Sequence, residues 1–94
     1  MIRSNITEKT IRILRVNDVL KRTGLPKSSL YEKVKYQLMT PPINLGARAV
    51  GWPDFEIDEI NRALIAGCSS DEIKALVHEL ISNRGNMKFG DSYE

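Results

Sequence analysis

Four prolines, Pro26, Pro41, Pro42 and Pro53, cut the chain up to residue 53 into short pieces and forbid a long helix there. Proline lacks a backbone N–H and fixes φ near −65°, so a helix accepts it only in its first turn. Each apolar run between prolines must therefore build a short element of its own. Val16, Val19 and Leu20 recur at helical spacing, and Asn17 and Asp18 suit a first turn, so a first helix is predicted from about Val16 to Arg22. Thr23-Gly24-Leu25 ends it, with Gly24 free to take a left-handed cap conformation. Pro26 restarts the chain as a second helix to about Lys35 or Tyr36, with Leu30 and Val34, four apart, turned inward.

Before this pair, Thr10 to Leu14 alternates and reads as a short extended segment, with Ile11 and Ile13 on one side. After it, Ile43 to Trp52 reads as a tight hairpin. A two-residue turn at Gly46-Ala47 would pair Leu45 with Arg48 and Ile43 with Val50, placing Ile43, Leu45 and Val50 on one face. A third helix is expected from Pro53 to Gly67, with Phe55, Ile57, Ile60, Leu64 and Ile65 as its apolar positions and Glu56, Asp58 and Glu59 on a solvated face. Ser69-Ser70-Asp71-Glu72 fits a capping box that opens a fourth helix. Ile73, Leu76, Val77, Leu80 and Ile81 give that helix its apolar side, and Gly85 ends it. The organisation expected is a flexible N-terminus (1–10), a winged helix-turn-helix domain (11–67), a C-terminal helix (68–85) and a flexible tail (86–94).

Two short helices joined by a small glycine-containing turn describe a helix-turn-helix, whose second helix enters a DNA groove. With Leu30 and Val34 inward, Ser28 and Glu32 point away at about 100° per residue, flanked by Ser29, Tyr31 and Lys35. Lys27 starts nearer the buried side, and its long stem reaches outward from the first turn. Lys and Ser suit phosphates, and Glu32 could accept from a cytosine amino group. The competing reading is a plain helical hairpin in which Glu32 pairs with Lys35. The hairpin favours DNA: a wing can place a basic residue, here Arg48, against the backbone or in the minor groove. Trp52, at the hairpin's end, is expected in the core.

Charge supports this reading. From Lys9 to Arg48 nine basic residues face two acidic ones, whereas from Ala49 to Glu94 nine acidic residues face four basic ones. A basic half joined to an acidic half suits a polyanion on one side and solvent or a protein on the other. Enzyme chemistry finds little foothold. His78 is the only histidine, His78-Glu79 lacks the second histidine of a zinc motif, and no glycine-rich phosphate loop exists. Cys68 is alone, which leaves no disulfide framework and no cysteine metal site. No catalytic residue, metal or cofactor is expected. No apolar run is long enough to span a bilayer, and Met1 to Thr10 lacks a signal-type apolar stretch, so a cytoplasmic protein is expected.

The segment Thr23 to Val34 (TGLPKSSLYEKV), the Pro41 to Gly46 run (PPINLG) and Arg48 to Trp52 (RAVGW) together resemble the AlpA family of phage and prophage regulators. The likeness covers about Ile13 to Arg84. It implies a MerR-like or excisionase-like winged helix-turn-helix, mainly α with a small β-hairpin and a C-terminal helix. It implies binding to double-stranded DNA to regulate transcription or direct excision of a prophage or genomic island, with an integrase as a further partner. The outward positions read above, Lys27, Ser28, Ser29, Tyr31, Glu32, Lys35 and Arg48, are the residues expected to make the contact. Two positions depart from the family pattern. Pro26 stands where a capping Ser or Thr is usual, and Glu32 where a basic residue is common. A lone domain of this kind makes a modest DNA interface, so self-association on neighbouring sites is also expected. The alternative is a small protein-interaction module, an anti-repressor or adaptor, acting through its C-terminal helices.

Overall fold

A computed structural model describes residues 10–87. The elements run β1 (Ile13–Leu14), α1 (Val16–Thr23), α2 (Lys27–Lys35), β2 (Ile43–Gly46), β3 (Ala49–Pro53), α3 (Asp54–Ile65) and α4 (Ser70–Arg84), closing with a 3-10 turn at Gly85–Met87. This is the mainly α, winged helix-turn-helix fold expected, with a C-terminal helix. The ends expected to be flexible lie outside the described residues, apart from residues 10, 86 and 87.

Local chemistry sets the boundaries. Gly24 takes φ 74° and donates its N–H to the Leu20 carbonyl, stopping α1 as the sequence suggests. Pro26 is the N-cap of α2, and no side chain caps that helix. The α2 terminus is less expected. Gln37 takes φ 64°, Gln37 N–H donates to the Val34 carbonyl, and Leu38 N–H to Lys33. That is a Schellman ending with Gln in the position usually given to Gly. At α4 both halves of the capping box form: Glu72 N–H donates to Ser69 Oγ, and Ser69 N–H to the Glu72 carboxylate. Gly85 does not stop the chain sharply, with φ −66°, and the 3-10 turn follows.

The three strands form one antiparallel sheet in the order β1-β3-β2. The wing's register differs from the one expected. The observed pairs are Ile43 with Gly51, Asn44 with Val50 and Gly46 with Ala49, and the ladder shifts between Asn44 and Gly46. The turn residues are therefore Ala47 and Arg48, at φ 39° and 69°, not Gly46 and Ala47; Gly46 does take a positive φ, 99°, but as the last residue of β2. Two successive positive φ angles are what a type I′ hairpin turn requires. Asn44 assists by accepting the Gly46 N–H on its side-chain oxygen at 2.8 Å. The slip parts the expected trio. Val50 lies opposite Asn44, while Ile43 lies opposite Gly51, on the other face of the sheet.

One core joins every helix to the sheet. Leu14, Val19, Leu30, Met39, Trp52, Ile57, Ile60, Ile73, Val77 and Leu80 are all buried. Trp52 is fully enclosed and donates its ring N–H to the Thr40 carbonyl at 2.8 Å. In α3, Ile57 and Ile60 point inward as expected. Leu64 and Ile65 do not: they are 46% and 86% exposed, and Ala63 packs on the core instead. Glu56 also overturns its expected solvated setting. It is fully buried, and Arg84 donates to both its oxygens, Nε at 2.8 Å and Nη2 at 2.7 Å. Arg84 Nη2 also donates to the Pro41 carbonyl at 2.8 Å. The end of α4 is thus tied to the first turn of α3 and to the loop entering the wing.

Candidate nucleic-acid interface

Helices α1 and α2 are joined by Gly24, Leu25 and Pro26, the tight turn of a helix-turn-helix. Leu30 anchors α2 in the core, and Val34 packs at its edge. That leaves Lys27, Ser28, Tyr31, Glu32 and Lys35 exposed and Ser29 partly covered. Arg48 is exposed at the wing turn.

The wing folds back so that Arg48 and Val50 face the start of α2 across a cleft of about 280 Å³. Lys27 and Tyr31 line it from α2, and Val16 from α1. Tyr31 meets Trp52 edge-on, with ring centroids 6.1 Å apart and planes at 62°. Because Trp52 is held by Thr40, this contact fixes Tyr31 at the cleft from the core side. Arg84 reinforces the same region through Pro41, the neighbour of Thr40.

The structure therefore brings three of the seven expected residues together: Lys27, Tyr31 and Arg48. Ser29 and Glu32 line a separate depression with Leu25, Lys33, Tyr36 and Leu38. Ser28 and Lys35 line neither. Lys35 Nζ lies 5.5 Å from the centre of the Tyr36 ring, a cation–π contact. Glu32 forms no ion pair with Lys35. The ion pairs among the described residues are Arg22–Asp58, Arg62–Glu59 and Arg84–Glu56. Arg22 is thereby engaged by α3, and Asn61 also donates to its carbonyl. Arg15 and Asn17, absent from the expected set, complete the cleft from the start of α1. Arg15 belongs to the basic run of the sequence, the one signal that could have pointed to it.

The family model for the prophage CP4-57 regulatory protein (AlpA) matches residues 12–63, more than half of the chain. The chain belongs to the AlpA family. The matched stretch begins before β1 and ends within α3, so it contains the helix-turn-helix, the wing and every residue of the cleft. It makes the chain a member of a family of small DNA-binding prophage regulators. Helix α4 lies outside the match, yet Ile73, Val77 and Leu80 complete the core of this AlpA-family domain. No curated protein and no solved structure matches the chain in the same comparisons. Among the described residues, no group of His, Cys, Asp or Glu is placed to hold a metal ion, and no helix is long and apolar enough to cross a membrane.

Proposed function

We propose that this AlpA-family protein lays α2 in the major groove of double-stranded DNA and sets the β2–β3 wing beside it. In this reading it regulates transcription or excision of a prophage or genomic island, with an integrase as partner in the excision role. The residues in contact are Lys27, Ser28, Ser29, Tyr31, Glu32, Lys35 and Arg48. The observation that carries the reading is the convergence of Lys27 and Tyr31 from α2 with Arg48 from the wing on one open cleft. Cations on an exposed helix face and on an adjoining hairpin tip suit the sugar–phosphate backbone bordering a groove.

Fluorescence anisotropy of the full chain with a short duplex, repeated across salt concentrations, tests this. Two to four neutralised phosphates would give a slope of about −2 to −4 for log K against log salt. A flat response removes the electrostatic mechanism. A footprint at a promoter, against one at an attachment site, separates the two biological roles. The adaptor reading draws on Leu64, Ile65 and Ile81, exposed on α3 and α4. It expects a salt-insensitive protein contact and no shift of DNA.

A further inference from the structure

The cleft between α2 and the wing lies where a DNA strand has to pass. If α2 occupies a major groove and the wing the minor groove next to it, the sugar–phosphate strand dividing the two grooves runs between those elements. The protein is open at that point, with about 280 Å³ of space. Three cations border it from three separate elements: Arg15 at the start of α1, Lys27 at the start of α2 and Arg48 on the wing. All three are exposed, no carboxylate lines the cleft, and none of the three forms an ion pair among the described residues. Asn17 and Tyr31 add neutral donors.

We propose that this cleft seats a single backbone phosphate of the dividing strand, held jointly by Arg15, Lys27 and Arg48. The proposal rests on the DNA-binding reading and adds to it a ligand, a phosphodiester, and two residues, Arg15 and Asn17, outside the recognition helix and the wing. An isolated phosphodiester carries one negative charge but offers several lone pairs, so it can accept from more than one guanidinium at once. Without an anion, like charges gathered at one opening repel; with one, each is attracted to the same centre. The start of α2 also favours an anion there, since no side chain caps that helix and its first turn carries no acidic residue. Such a seat would set the depth of α2 and the position of the wing on the duplex together, because one atom group anchors both. It carries no sequence information itself.

The number of phosphates neutralised is read from the salt slope. The full chain is compared with Arg15→Gln, Lys27→Gln, Arg48→Asn and the triple variant, by anisotropy with a short mixed-sequence duplex. Asn is chosen at Arg48 because it tolerates the left-handed backbone there. All three side chains are exposed, and thermal melting by circular dichroism verifies that each variant is folded. One shared phosphate predicts that the triple variant loses about 0.9 from the slope, with each single variant losing less. Three separate phosphates would remove about 2.7, and a loss of about 1.8 or more overturns the shared seat. An unchanged slope in the triple variant overturns it as well, while leaving DNA binding through other residues intact. If the unaltered chain shows no salt-dependent binding, the DNA-binding reading falls, and the seat with it.

Discussion

Replacing Arg84 with Ala should be among the most damaging single changes in this protein, although Arg84 is far from the recognition helix in sequence. Glu56 is fully buried, and both of its oxygens receive Arg84 at 2.7 and 2.8 Å. Arg84 itself is only 21% exposed at its side chain. Removing it strands a carboxylate with no other partner among the described residues and releases the Pro41 carbonyl. Breaking a buried pair from one side costs about 3–5 kcal/mol, because the remaining charge stays desolvated. A domain of this length holds roughly 5–14 kcal/mol in total, so the loss is a large fraction of it. The melting temperature should fall on the order of 10–40 °C, at 4–8 °C per kcal/mol. Urea denaturation followed by circular dichroism measures the loss directly. The double variant Glu56→Met/Arg84→Met removes both charges and should recover most of the stability. An Arg84→Ala protein within about 1 kcal/mol of the parent would refute the reasoning. So would a double variant as unstable as the single one.

Gly51→Ala should cost about 1–3 kcal/mol in the same assay, since the added methyl would lie 2.5 Å from Ile13 Cγ2 and 2.9 Å from the Leu14 carbonyl and push β1 off the sheet; an unchanged midpoint would mean that β1 does not cover this residue. Thr40→Val should raise stability by about 1–2 kcal/mol, because Thr40 Oγ1 is buried with no hydrogen-bond partner among the described residues and the Thr40 carbonyl still receives Trp52. A destabilised valine variant would show that the hydroxyl is satisfied.

What could be read from the sequence was local, and what could not was long-range or depended on backbone angles outside residue preference. Gly24 and Pro26 mark the helix-turn-helix because each restricts the backbone by itself. Ser69 and Glu72 announce α4 because their bonds span a single turn. Trp52 is legible as core by its size, though not its bond to Thr40. The hairpin register was not legible. Glycine at 46 invites a turn there and does take a positive φ, but as the last residue of β2. The turn itself falls on Ala47 and Arg48, whose positive φ angles residue preference does not suggest, with Asn44 closing the bulge from its side chain. Glu56 looks like any helix-surface carboxylate until Arg84, 28 residues on, reaches it. Leu64 and Ile65 fit an apolar spacing, but the turn at Gly67 leads the chain into α4 without covering them. In the interface, the outward positions of α2 followed from helical periodicity. Arg15 and Asn17 did not, since only the folded wing brings Arg48 across to the start of α1.

Chemical-shift mapping of the isotopically labelled full chain, titrated with a short duplex at low salt, tests most directly whether the helix-turn-helix and wing form the DNA-binding surface. The backbone amides that move should cluster at Arg15–Asn17, along Lys27–Lys35 and around Ala47–Val50, and the shifts should reverse as salt is added. Shifts confined to α3 and α4, or none at any DNA concentration, would contradict it.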